Sequence, residues 1–595
     1  MNDETRISSH LRPTQRARRW TQIVSIAISF DLAVCVIPSA LAQQGSANEN
    51  ITKLTSVSKG VTGNTLPATV ISVTNTNDSG PGSLRDALAA ANDGDTIDAT
   101  GVSGTILLTS GELQINHNVT INGPGAGNLA VNGNAASRVF ENFASNVTIS
   151  GFTITNGFPS GTDGGGGVLN HGRLTLSDSS IDNNHSGDNL GQAFLFPAGI
   201  LSAGGGVNSV GDGTLTVTNS VVSGNSAGSG GGGGIALSGG GTLTVANSTI
   251  SGNSRLCTGS CSDGGIGGGG TVTVTNSVIS GNVGGIGVSG TVTVSNSQIN
   301  GNLGVGIAFG GGTQTVTNSV ISGNTGGGIF ADAGTATVSN STISGNQSGC
   351  FGGGINTYNA QLTVTNSTIS GNSTGGGGDG VSFCATPGTP LGGGGIACRA
   401  GTLTVMNSTI SGNNVGTAPP PFAYFGGGIL NEGNLTVTNS TISDNTAANP
   451  GGAIYNSNFS GGGTANIGDS VLNAGASGGT IFNDGGTVTS LGYNLASDNG
   501  GGVLTGPGDH INSNPMLGPL SNNGGPTFTH ALLPGSPAIN AGNPNFTPPP
   551  SYDQRGSPFH RVVNGRIDIG SFEVQAPRAT PTPRPRPTPT PRPAT

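Results

Sequence analysis

The sequence predicts an all-β fold, a parallel β-helix with three short strands per turn, on three observations. First, a phrase of the form N-S-x-[IV]-x-x-N starts at Asn219, Asn247, Asn276, Asn296, Asn318, Asn340, Asn366, Asn407 and Asn439, with a degenerate copy, DSSIDNN, at Asp178. Second, the gaps between copies run from 20 to 41 residues and the shortest cluster at 20–22, so a fixed turn carries optional insertions. Third, Leu243 and Val245 alternate with Thr242, Thr244 and Ala246, the pattern of a strand buried on one face.

Residues 1–42 read as a secretory signal. Arg12, Arg16, Arg18 and Arg19 form a basic segment, an apolar run follows from Ile23, and Ala40-Leu41-Ala42 is an A-x-A cleavage pattern. The run is broken by Asp31 and Pro38 and is marginal for spanning a bilayer, so cleavage near Ala42 is expected, with no transmembrane segment in the mature chain. Residues 43–66 form a flexible leader. An N-terminal cap spans 67–100, with a helix over 83–93 in which Ser83 caps, Asp86 sits at the third position and Gly94 ends the element. Leu84, Leu88 and Ala91 share one face, suited to a lid on the first turn.

The repeats fill 101–487. Ile250 is odd-spaced from Val245, so the chain must bend near Asn247-Ser248 for both to point inward. A third piece follows in GGGGI at Ile235, GGGI at Ile329, Ile355 and Ile429, GGGGI at Ile396 and GGAI at Ile454. Such a cycle cannot bury its apolar face alone. Stacking on the next cycle at ~4.8 Å solves this, and roughly 14 turns give a rod about 65–70 Å long. The nine phrase-opening Asn residues are expected to stack as an inward amide ladder, which would satisfy a buried polar row. Residues 488–575 leave the pattern and would close the far end. The Pro/Thr/Arg-rich tail, 576–595, cannot form a core and is expected to be disordered.

These phrases resemble a known group. The paired GGAI/GGGI and [FIV]-x-x-N motifs look like the repeats of bacterial polymorphic outer membrane proteins and related right-handed β-helix proteins. Residues 73–97, VTNTNDSGPGSLRDALAAANDGDTI, resemble the segment that often precedes such repeats. LGPLSNNGGPTFTHALLPGSPAINAGN (517–543), DQRG at Asp553–Gly556 and DIGSFE at Asp568–Glu573 resemble a choice-of-anchor Q module. Together these cover most of residues 70–575. The resemblance implies a right-handed helix and an exported surface protein, secreted or at the cell surface.

Charge and cysteine content narrow the function. Outside the signal and the tail the body holds ten basic and 25 acidic residues, which argues against nucleic acid and anionic lipid as partners. Cys257 and Cys261 enclose TGS and form a candidate disulfide; the pairing of Cys350, Cys384 and Cys398 stays open. No His lies near these Cys and the spacings fit no zinc pattern, so no metal and no cofactor is expected.

Catalysis needs ionisable groups, and the repeats hold few. The densest set is Asp163, His171, Arg173, Asp178, Asp182, His185 and Asp188. Within it Arg173, Asp178, Asp182 and Asp188 form the candidate active site if the chain is a polysaccharide lyase or glycoside hydrolase. The expected reading is instead a non-catalytic adhesin or structural component. Excursions at 185–203, 254–265, 373–391 and 414–425 leave the same corner of different turns and carry Phe194, Phe196, Phe383, Phe422, Tyr424 and Phe425. Those aromatics would bind a polysaccharide or a surface protein, or would pack on one another to hold the loops. A more remote reading, ice binding, comes from the recurring outward Thr-x-Thr.

Overall fold

The computed structural model describes residues 67–159, 163–187, 204–228, 231–256, 262–375, 390–417, 423–459 and 461–576. The signal, leader and tail lie outside the described residues, as do Cys257, Cys261, Asp188, Phe194, Phe196, Phe383 and Phe422. No described helix is long and apolar enough to cross a membrane.

The chain folds as a right-handed parallel β-helix. One turn shows the build: strands Ile307–Gly310, Thr313–Thr317 and Val320–Ser322. Each pairs in parallel with its counterpart in the next turn, so Ile307 lies beside Ile329, Val316 beside Val338 and Ile321 beside Ile343. All six face inward and are essentially fully buried. Each side chain so placed adds roughly 2 kcal/mol of apolar burial, which no single turn could realise alone. Leu243, Val245, Ile250 and Ile235 are likewise fully buried, so the parity break falls where the sequence requires it.

The break is made by the phrase-opening Asn, and this corrects the expected ladder. Asn219, Asn247, Asn276, Asn296, Asn318, Asn340, Asn366, Asn407 and Asn439 all adopt left-handed backbone, φ 49° to 53°. The first five are exposed and the next two half-buried; Asn407 and Asn439 are covered by residues near the C-terminus. Asn tolerates this conformation better than other non-Gly residues, and it turns the chain between two strands. The inward slot goes to the following Ser. Ser248 Oγ donates to the Ala246 carbonyl at 2.7 Å and accepts the Ser220 amide at 3.1 Å.

The buried amide ladder is formed by the last Asn of each phrase. It runs Asn184, Asn225, Asn253, Asn282, Asn302, Asn324, Asn346, Asn372, Asn413 and Asn445, all fully buried. Each Nδ2 except the last donates to the Oδ1 of the next at 2.8–3.0 Å. The second Nδ2 hydrogen goes to a strand carbonyl of the turn before, as from Asn324 to Ile299 at 3.1 Å. A Gly with φ near 63° precedes it, as at Gly323 and Gly345, and makes the second corner.

Outside the barrel wall, in-register stacking builds uniform columns. The central outward position of the middle strand is Thr at Thr96, Thr120, Thr148, Thr175, Thr216, Thr244, Thr273, Thr293, Thr315, Thr337, Thr363, Thr404 and Thr436.

The two ends differ. At the front, helix Leu84–Ala90 is capped by Ser83, whose Oγ accepts the Asp86 amide, and it buries Leu84, Ala87 and Leu88. It stops at Ala91, before Gly94. At the back, strands Thr487–Gly492 and Leu495–Ala496 still stack on the turn before them. The short 3-10 turn Gly500–Gly502 and buried Leu504 cover the last inward residues. Residues 514–576 do not stack on that end. They run back beside the third strands, where Gln554 Nε2 donates to the Ser367 carbonyl at 3.2 Å and His530 Nε2 lies 2.8 Å from Ser411 Oγ. The hydroxyls of those strands offer unsatisfied partners that the returning chain takes up. Two arginines fix this segment. Arg555 lies between the rings of Phe559 and Phe572, 3.8 Å from each centroid, and pairs with Asp553 at 2.6 Å. Arg561 is fully buried and donates to Asn439 Oδ1 at 2.9 Å.

Candidate functional site

The outward residue after each inward Ile forms a row along the flank: Ala236, Gly267, Gly287, Ala308, Phe330, Asn356, Ala397, Leu430 and Tyr455. At the far end, material outside the barrel covers this row. Phe351, Leu391, Ala397, Val415, Tyr424, Leu430 and Tyr455 pack into a second hydrophobic cluster there. The three turns beginning at Ile266, Ile286 and Ile307 are the shortest of the rod and add no such cover. A groove of about 870 Å³ lies along them. From Ile266 to Ile355 it crosses four turn spacings, roughly 19 Å.

Its floor is Gly287, Ala308 and Phe330. One wall is Asp263, which rests on the glycines: a Cβ on Gly287 would approach Asp263 Cβ to 2.7 Å. Burial raises the Asp263 carboxyl above its usual range, against the opposing pull of Arg255, to which it is salt-bridged. The other wall is Phe351, with the Arg399 guanidinium 3.8 Å from its ring centroid. Asn356 Oδ1 is buried at this wall with no hydrogen-bond partner among the described residues. Asp332, Ser262, Ser289 and Ser348 add to the polar lining. The site therefore offers an apolar, partly aromatic floor, a vacant carbonyl acceptor and one uncommitted carboxylate.

The residues singled out from sequence are distributed otherwise. Tyr424 is buried; its Oη donates to the Gly349 carbonyl at 2.7 Å and its backbone pairs with Leu391. Phe425 is half-buried and stacks on Tyr455, centroids 4.4 Å apart, which in turn stacks on Phe482 at 5.6 Å. Both serve packing in this arrangement. Cys350 is disulfide-bonded and Cys398 is a buried free thiol, which burial pushes up to about 11.

Of the candidate catalytic set, the described members Arg173, Asp178 and Asp182 are not gathered. Arg173 opens an outward strand whose far end precedes Asp178, about 16 Å away along extended chain. Asp178 sits at the left-handed corner and accepts from Asn219 of the next turn at 3.3 Å. Asp182 lies on the third strand and accepts from its neighbour Ser180 at 3.0 Å. His185 contacts Ser226, and its ring stacks on Phe158.

A different ionisable cluster does converge, in a polar cleft of about 830 Å³ beside the N-terminal helix, lined by Arg85, Glu112, Arg138, Glu141 and Asp163. Arg138 is buried, pairs with Glu112 at 2.8 Å and Glu141 at 3.4 Å, and donates to the Gly164 and Gly165 carbonyls. His171 lies 3.2 Å from Glu141. Burial, then a hydrogen bond with Glu141, raises the Glu112 carboxyl despite Arg138. Nearby, burial alone would raise Asp78, but hydrogen bonds from Ser110, Arg85 and Thr109 outweigh it and hold that carboxyl well below the usual range. Asp163 and His171 of this cleft belong to the densest ionisable set in the sequence; Glu112, Arg138 and Glu141 do not, because they meet only through a 27-residue register, Leu113 beside Phe140.

A family model agrees on fold over part of the chain. Residues 195–312 and 260–385 match a family model described as a right-handed beta helix region. No curated protein sequence matches the chain. Among solved structures, pectate lyase Pel9A is 14% identical, covering 85% of this chain and 96% of that one, with a TM-score of 0.20. The PL6 family alginate lyase AlyGC is 13% identical, covering 71% and 80%, with a TM-score of 0.26.

Proposed function

We propose that this is an exported β-helix rod that binds an extended glycan chain without cleaving it, as a cell-surface or extracellular adhesin or matrix component. The groove over the three shortest turns carries the reading, through the vacant Asn356 Oδ1 beside the Phe330 floor. Buried acceptors are ordinarily satisfied, and a sugar hydroxyl would satisfy this one. Asp263 is committed to Arg255, which leaves Asp332 as the single uncommitted carboxylate at the groove among the described residues, whereas glycoside hydrolysis uses two, ~5–9.5 Å apart. The signal-like N-terminus, the acidic body and the resemblance of residues 517–573 to an anchor module support export and envelope attachment.

The test uses the purified protein with a panel of insoluble polysaccharides, scoring retained protein and released reducing ends. Retention that falls at least tenfold in Phe330→Ala and Asn356→Leu, without release, is expected. Retention untouched by both variants would reject the groove. The second reading, cleavage of a polysaccharide, is favoured by one observation: Glu112 and Glu141 share a hydrogen bond beside Arg138 in an open cleft. Released ends that vanish in Glu112→Gln would establish it.

A further inference from the structure

The middle strands present a second face, which the groove does not use. Across the strands from Thr214–Thr218 to Asn434–Thr438, each turns three alternate residues outward, such as the half-buried Thr291, Thr293 and Ser295. No charged and no aromatic side chain occurs in these three columns. The central one is Thr in every turn. Strand preference accounts for β-branched residues, yet Val, Ile and Tyr share it and none of them occurs in the central column. Among the described residues, the C-terminal segment hydrogen-bonds to the neighbouring strands and their corners, through Ser367, Thr409 and Ser411, and not to the central Thr column.

Two features make the face a lattice. The register is one-to-one, so hydroxyls repeat at ~4.8 Å along the rod and at ~6.7 Å across it, two residues along a strand. Many-stranded sheets ordinarily twist, and side-chain ladders are among the devices that keep them flat; the Ser ladder follows the end of each of these strands. Each Thr offers a methyl and a hydroxyl. Methyls order adjacent water and hydroxyls tie that water in place, at repeats close to those of oxygen atoms on the faces of hexagonal ice. A solid glycan would be met by aromatic platforms, and an anionic or cationic surface by charge; the columns have neither.

We propose that the Thr columns form an ice-binding face. The experiment is ice-affinity partition: slow growth of ice from dilute protein, with serum albumin as the excluded standard. Wild type is expected in the ice fraction at several times the albumin level. Thr293→Lys/Thr315→Lys should fall to that level, while Ser280→Lys/Ser322→Lys, on the neighbouring strands, should stay with wild type. Circular dichroism melts confirm that both double variants are folded. Exclusion of wild type from ice overturns the proposal, as does equal incorporation of the Thr variant. Exclusion from ice combined with retention on microcrystalline cellulose or chitin, lost in the same Thr variant, overturns it and gives the face to a solid glycan instead.

Discussion

Replacing Asn324 by Leu tests where the buried ladder lies. The substitution keeps volume and removes four hydrogen bonds: two accepted from Asn302, by Nδ2 at 2.8 Å and the backbone amide at 3.1 Å, and two donated, to Asn346 Oδ1 at 2.8 Å and the Ile299 carbonyl at 3.1 Å. Asn302 Nδ2 keeps its second bond, to Ile279. Two donors on Asn302 are thus orphaned in the interior, each at about 1–3 kcal/mol, and the extra apolar contact of Leu returns part of that. A net loss of about 3–5 kcal/mol is expected. Asn318→Ala, six residues earlier, loses only the left-handed preference of an exposed corner, about 1 kcal/mol, and Asn318→Gly should be near neutral. A solenoid can open locally, so the main assay is amide hydrogen exchange of peptides covering 299–307, with urea melts beside it. Asn324→Leu should speed exchange there by about two to four orders of magnitude. An Asn318→Ala loss that equals or exceeds it would put the ladder at the wrong Asn.

The other expectations are simpler. Gln314 is fully buried between Val292 and Ala336 with neither amide atom partnered among the described residues, so Gln314→Leu should stabilise by about 1–3 kcal/mol in urea melts; destabilisation would mean that the amide has a role. Burial, and then Asp568, pushes Glu573 up to about 8, so its contribution is fully present below about pH 4.5 and is lost as pH rises through 8. Glu573→Gln should flatten the dependence of the melting temperature over that window; an unchanged slope refutes the assignment. Cys398, buried and raised to about 11, should resist alkylation at pH 8 in the native protein and react fully in denaturant, read by peptide mass; rapid native modification would contradict its burial.

The fold was legible because its two periods are written in side chains. Alternation at Leu243 and Val245 gives the strand, and the odd step to Ile250 gives the corner. The ladder was misplaced because the phrase holds two Asn, and composition alone does not say which faces inward. The deciding quantity is the backbone sign at Asn247, which the parity break implies for a residue at the corner itself. The groove carries no motif and none of the aromatics that mark the long turns. Its signal lay in the opposite place, in the run of shortest turns with Gly267, Gly287 and Ala308 after their Ile. The Glu112–Arg138–Glu141 cluster had no local signal, since the front turns lack the regular phrase that fixes register.

The polarity of the Asn ladder bears on how such a chain changes length over generations. Every interior rung accepts from the turn before and donates to the turn after, in the same sense from Asn184 to Asn445. Excising residues 303–324 would join Asn302 to the segment ending in Asn346, and the new neighbours present the same donor and acceptor that were removed. Duplicating that segment is equally silent. Recombination between the near-identical repeats thus yields shorter or longer rods whose interiors are already satisfied, and the length of the rod can drift in steps of one turn with no compensating substitution.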